Sequence, residues 1–187
     1  MLVAITGNFC SGKSTLIAAF SKLGYETFEA DKFVDMLYQK DFVMQLLGKE
    51  FGEYVVSQRK VNKRALADIV FSDFKKLQKL NRLIHPIIKE EIKKIDHEGK
   101  MVFCEMPLLF EAQMDDLFDK IILVKCSERS ALARAAGRGY SEEEFKRRIH
   151  YQWDDQKKAQ FADFIVDSEQ SVQELEAAAQ RITKELL

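Results

Sequence analysis

Gly7-Asn8-Phe9-Cys10-Ser11-Gly12-Lys13-Ser14 fits the pattern G-x-x-x-x-G-K-[ST]. Before it runs Leu2–Thr6, apolar and partly β-branched, which reads as a buried parallel strand. After it, Lys13 to Leu23 reads as an amphipathic helix with Leu16, Ile17, Phe20 and Leu23 on one face and Gly24 as its stop. A tight loop between strand and helix turns successive backbone N–H groups inward, and the helix N-terminus adds about half a positive charge. Lys13 is placed to reach β/γ-phosphates and Ser14 to offer a hydroxyl to Mg²⁺. The expected ligand is a nucleoside triphosphate with Mg²⁺. Cys10 stands inside the loop, near the helix N-terminus and Lys13, both of which favour a thiolate. Two readings follow: an alkylation-sensitive cysteine that nucleotide protects, or a buried inert thiol.

Further apolar runs repeat the strand signal. They are Tyr25–Ala30, Met101–Glu105, Lys120–Val124 and Phe164–Asp167, with helical segments between them. Strands alternating with helices imply a parallel α/β sheet with right-handed crossovers. Asn62 is a candidate cap for a helix starting near Lys63. Ser141 with Glu144, and Ser171 with Glu174, fit the capping box. The last helix spans about 171–186. The stretch from Asp31 to about Glu98 is mostly helical in period, with Leu66, Ile69, Val70, Leu77, Leu80, Leu83 and Ile84 at three- and four-residue steps. Residues 32–98 hold 14 Lys/Arg against 10 Asp/Glu, net +4 within a chain of net −1. That suits an anionic ligand, or an ordinary solvated face.

The chain has 187 residues, 47% of them hydrophobic and 32% charged, enough to bury one core. The balanced charge argues against nucleic-acid binding. Three cysteines without C-x-x-C spacing suit a reduced compartment and exclude a Cys-built zinc site. His85, His97 and His150 have no metal-ligand spacing. No run approaches the length of a membrane span, and the first residues do not read as a leader. The expectation is a cytoplasmic protein.

Two features point from binding to phosphoryl transfer. Glu29-Ala30-Asp31 ends the second strand run and Glu105 the third, and carboxyl ends of parallel strands border the ligand crevice. A carboxylate there is suited to accept the proton of an attacking hydroxyl or to order Mg²⁺. Arg134 and Arg138 lie one helical turn apart, as charge-stabilising residues of a closing lid would, with Gly137 and Gly139 as flexible points.

Together these residues resemble the dephospho-CoA kinase family nearly end to end. The resemblance runs through Thr6–Thr15, Leu23-Gly24, the acidic pair ending at Asp31 and Phe51-Gly52. It continues in Asn62–Ala67, Ile69-Val70-Phe71, His85-Pro86-Ile87 and Pro107-Leu108-Leu109-Phe110-Glu111. It closes with Arg134 and Arg138, Arg148 with Gln152, and Ala162–Asp167. It implies a P-loop fold: one domain over 1–187, three-layer α/β/α with a five-stranded parallel sheet. An inserted helical substrate region at about 32–98 and an Arg-rich lid at about 127–153 complete it. The implied reaction moves the ATP γ-phosphate to the 3′-hydroxyl of dephospho-CoA, the last step of coenzyme A biosynthesis. Carried over by position, Asp31 would be the general base, acting with Lys13, Arg134 and Arg138. Gly7, Asn8, Phe9, Cys10, Ser11, Gly12, Lys13, Ser14 and Thr15 would hold ATP. Arg64, His85, Pro86, Leu108 and Glu111 would bind the acceptor, His85-Pro86 being equally readable as a helix bend. Ser14 would hold Mg²⁺, with Asp31, Glu29 or Glu105 acting through water.

There are departures from the family pattern. Asn8 and Cys10 replace the usual glycines, Glu29 an aspartate and Ser168 an asparagine. Asn tolerates positive φ more readily than Cys, and Ser168 is expected to weaken contact near the ATP base. Another P-loop nucleotide or small-metabolite kinase is the nearest alternative, separated by 32–98 and 107–111. A nucleotide-regulated binding module is the next. Its guanine-reading motif is met only by Asn62-Lys63-Arg64-Ala65, which lacks the aspartate.

Overall fold

The computed structural model describes residues 1–169 and 171–187. The strands are β1 (Leu2–Thr6), β2 (Glu26–Glu29), β3 (Val56–Ser57), β4 (Lys60–Val61), β5 (Val102–Glu105), β6 (Lys120–Lys125) and β7 (Phe164–Asp167). The helices are α1 (Lys13–Lys22), α2 (Ala30–Leu37), α3 (Asp41–Phe51), α4 (Lys63–Ser72) and α5 (Phe74–Lys93). They continue with α6 (Glu128–Gly137), α7 (Glu142–Ile149), α8 (Asp155–Ala159) and α9 (Val172–Leu186). By contact density the chain divides into two compact units, one of residues Met1–Glu29 with Ile95–Leu187 and one of Ala30–Lys94.

The first unit is built on a five-stranded sheet ordered β2-β5-β1-β6-β7, every pairing parallel. All five residues of β1 are buried, as a central strand covered on both faces requires. The core joins Val3, Ile5, Phe103, Ile122 and Val124 of the sheet to Leu16, Ile17 and Phe20 of α1 and Leu175, Ala178, Ala179 and Ile182 of α9. Phe20 stacks on Phe103 at 3.7 Å between centroids. β1 lies between β5 and β6, so successive strands depart to opposite sides of it. This switch point opens a crevice at the carboxyl ends, where the loop after β1 sits.

Both expected capping boxes form: Ser141 with Glu144 starts α7 and Ser171 with Glu174 starts α9. Asp163 ties β7 to β6, accepting from the Ile121 amide at 2.9 Å and from Lys120 at 2.7 Å.

The second unit is a helical body with its own buried residues, among them Val43, Leu47, Phe51, Leu66, Val70, Leu77, Ile84, Ile88 and Ile92. Asn62 caps α4 by accepting from the Ala65 amide at 3.1 Å. α5 runs through Pro86, which leaves the Arg82 carbonyl without its usual i+4 donor. The helical period missed one element. β3 and β4 form an antiparallel hairpin, turned by Gln58 and Arg59 at φ 50° and 58°. A two-residue turn of this kind usually announces itself by Asn-Gly or Asp-Gly. Here Arg59 instead pairs with both oxygens of Asp41, at 2.9 and 3.0 Å.

Candidate active site

The loop Gly7–Gly12 leaves β1 at the crevice. Gly7 has φ 148°, and a Cβ there would stand 2.1 Å from the Val124 carbonyl oxygen. Gly12, at φ 100°, precedes α1 without any side-chain cap, so the first amides of α1 stay open to an anion. Lys13 is only 6% exposed. Its ammonium donates to the Gly7 carbonyl at 3.0 Å and the Asn8 carbonyl at 2.9 Å, which holds it across the loop. Ser14 is exposed and its Oγ lies 3.2 Å from Glu105 Oε1. A hydroxyl and a carboxylate are hard oxygen donors, and with water and phosphate oxygens they fit the needs of Mg²⁺. Glu29 is the register partner of Glu105 at the same sheet edge.

The two loop departures resolve in different ways. Cys10, not Asn8, takes the left-handed conformation, at φ 61°. Its thiol is buried with Ala131, Ala135 and Phe145, and Phe9, Tyr140 and Ile149 pack against the cluster. Burial pushes the Cys10 thiol up, outweighing Arg138, Lys13, Arg134 and Arg148, which act the other way. The inert reading of Cys10 is therefore the one the geometry supports. Asn8 keeps negative φ and uses its side chain, whose Oδ1 accepts from Lys158 Nζ at 2.8 Å.

Arg134 and Arg138 converge on the loop. Arg134 donates to the Cys10 carbonyl at 3.3 Å, to Ser168 Oγ at 2.9 Å and to the Ser168 carbonyl at 2.5 Å. Arg138 Nη1 reaches Cys10 Sγ at 3.9 Å. Ser168 in turn donates to the Ser11 carbonyl at 2.5 Å, so the serine stitches the end of β7 to the loop. Gln152 accepts from the Phe9 amide at 2.8 Å, and the Arg148 guanidinium lies 4.6 Å over Tyr140 and 5.4 Å from the Phe9 ring centre. Asp155 has Lys158, Lys125 and Lys13 near it, yet burial, the larger effect, pushes its carboxyl up. The Phe9 and Ser11 amides are already paired, with Gln152 and the Asn8 carbonyl; the uncapped start of α1 ringed by these cations is a site for polyphosphate.

The dephospho-CoA kinase family model matches residues 1–174. The chain belongs to the dephospho-CoA kinase family. The Chlorobaculum tepidum dephospho-CoA kinase is 37% identical over 198 residues, covering 100% of this chain and 95% of that protein. A crystal structure from Thermus thermophilus superposes with TM-score 0.80 at 30% identity, covering 100% of this chain and 98% of that one. The dephospho-CoA kinase of Campylobacter jejuni superposes with TM-score 0.69 at 25% identity, covering 99% and 96%.

In this family member, Lys13, Ser14, Glu105, Arg134 and Arg138 all belong to the sheet unit, and the contacts above bring them to the loop. Leu108 and Glu111 follow β5 in the same unit. Leu108 is half-buried, and Glu111 is turned to Lys158 at 3.0 Å. Asp31, Arg64, His85 and Pro86 belong to the helical unit. Asp31 stands exposed in the first turn of α2, Arg64 exposed on α4, His85 half-buried and Pro86 exposed on α5. Tyr38 is close enough to feel Asp31: burial, then Asp35 and Asp31, push its phenol up to about 12. Sequence reasoning missed Lys158 and the stitching role of Ser168. Gln152 was visible only as part of the resemblance.

Proposed function

We propose that this chain is an ATP-dependent phosphotransferase that moves the γ-phosphate of ATP to the 3′-hydroxyl of dephospho-CoA, completing coenzyme A. The observation that carries this reading is the pairing of the family match with a loop whose lysine is locked across it. Lys13 is held by the Gly7 and Asn8 carbonyls, so its charge is in place before nucleotide arrives. The amides at the uncapped start of α1 bind the phosphates. Ser14 and Glu105 would hold Mg²⁺, which would supply charge neutralisation to the transferring phosphate.

Asp31 accepts the proton of the 3′-hydroxyl as its oxygen bonds the γ-phosphorus and the bond to the β-phosphate breaks, releasing ADP. Arg134 and Arg138 stabilise charge on the transferring group, and Gly137 with Gly139 lets the 127–153 segment move as a lid. Arg64, His85, Pro86 and Leu108 receive the acceptor, and Glu111 borders it while its Oε1 stays on Lys158. The net +4 of residues 32–98 suits an acceptor carrying a pyrophosphate. No helix among the described residues is long and apolar enough to cross a membrane. We infer a cytoplasmic location from the three cysteines, whose spacing suits a reduced compartment.

The test is ADP release from Mg-ATP with and without dephospho-CoA. The expected result is release that depends on the acceptor. Release that ignores dephospho-CoA, with ATP binding intact, would remove the acceptor assignment.

A further inference from the structure

Lys158 is 0% exposed, the position least tolerated by a lysine. It lies on α8, a helix of five residues, and no step of the proposed reaction uses it. Among the described residues its ammonium has two partners. Glu111 Oε1 is 3.0 Å away, and that same oxygen accepts the Trp153 amide at 2.7 Å. Asn8 Oδ1 accepts from the ammonium at 2.8 Å. The Asn8 carbonyl is one of the two that hold Lys13, and it also accepts the Ser11 amide at 3.0 Å. One residue of the loop therefore carries Lys158 on its side chain and Lys13 on its backbone.

A buried ammonium held by a carboxylate is a fixed point, because leaving that partner would strand both charges in a dry interior. Asn8 is therefore anchored by a group that does not move with solvent. We propose that Lys158 is a positioning residue for nucleotide binding: anchored by Glu111, it fixes Asn8 and through Asn8 the ammonium of Lys13. The arrangement is particular to a chain with a side chain at position 8, since glycine there offers no acceptor. Asn8, at negative φ, needs no glycine-like freedom and is free to serve as the bridge. The inference rests on the reading of the loop as an ATP site.

Two variants test it. K158M keeps the length of the side chain and removes its charge, while N8A removes the acceptor and leaves the Lys158–Glu111 pair intact. ATP affinity is read by calorimetry, and the KM for ATP, the KM for dephospho-CoA and kcat by turnover. Each variant is expected to weaken ATP binding about tenfold, the scale of one charged hydrogen bond. In N8A, which leaves the Lys158–Glu111 pair intact, the KM for dephospho-CoA should stay within about twofold of wild type, an effect too small to be worth half a hydrogen bond. The double variant should be no weaker than K158M alone, because the two changes break one contact. A merely structural role would make N8A lower both substrates' affinities in parallel and make the two changes additive, which would overturn the proposal. If K158M does not fold, N8A decides: unchanged ATP affinity refutes the bridge. Failure of wild type to bind ATP would instead refute the site reading and the proposal with it.

Discussion

The two flanks of the phosphate loop hold it by different means. On the Asn8 side the contacts are polar and buried: the Lys158 ammonium meets Asn8 Oδ1 and Glu111 Oε1, and Glu111 Oε1 also accepts the Trp153 amide. On the Cys10 side they are apolar and aromatic: Cys10 packs among Ala131, Ala135 and Phe145, with Phe9 edge-on to Tyr140 at 5.2 Å. Both positions replace a usual glycine, and the difference shows two ways to do so. Asn8 meets the change with chemistry, finding its side chain a partner. Cys10 meets it with conformation, accepting φ 61° in return for burying its thiol. The polar flank concentrates its energy in one pair, whereas the apolar flank spreads it over many weak contacts.

That contrast is sharpest in stability. K158M leaves Glu111 buried without its counter-charge and should cost about 3–5 kcal/mol in urea unfolding, with K158M/E111L recovering most of the loss. A loss below about 1 kcal/mol, the scale of an exposed pair, would mean that the polar flank is no anchor.

The thiols give a smaller contrast. Raised by burial, Cys10 keeps its proton to higher pH than an ordinary thiol, so its nucleophilic thiolate is scarce at neutral pH. Iodoacetamide labelling read by mass spectrometry should find half-buried Cys126 ahead of Cys10. Cys104, in the sheet interior and pushed up to about 12, should come last. Labelling of all three should quicken as pH rises past 9. Cys10 reacting first would restore the reading of an activated loop thiol.

The smallest effect is expected from C10G. Relief of left-handed strain, about 1–2 kcal/mol, is offset by loss of a buried side chain and by the entropy of glycine. The net change should lie within about 1 kcal/mol in thermal melting, since both are of that size. A larger loss would make the Cys10 packing, not the loop geometry, the main hold on that flank.

The sheet was legible because its signals are local. Each strand run carries its own apolar pattern, the loop its spacing of Gly7, Gly12 and Lys13, and α4, α7 and α9 their caps. Asn62, Ser141 and Ser171 do what their residue types imply. The β3–β4 hairpin was not legible, because Gln58 and Arg59 enter the left-handed region without any residue that favours it. Lys158 was not legible either. A five-residue helix, Asp155–Ala159, is too short to show a buried face by period, and a lysine reads as solvated until its partners, 47 and 150 residues away, are known. The same distance hid the convergence of Arg134 and Ser168 on the loop. Their spacing within α6 and their place after β7 describe each element, not the meeting of the two. In the helical unit the elements were readable by period, while the contribution of Asp31, Arg64 and His85 came only from resemblance.

The most direct measurement follows the phosphate itself. ATP carrying ¹⁸O in its γ-phosphate is incubated with the chain, Mg²⁺ and dephospho-CoA, and the product is read by mass spectrometry and ³¹P NMR. The account predicts ADP and coenzyme A in equal amounts, with the label in the non-bridging oxygens of the 3′-phosphate and none in the ribose 3′-oxygen. Label found only in free phosphate, or ADP formed without labelled coenzyme A, would contradict it.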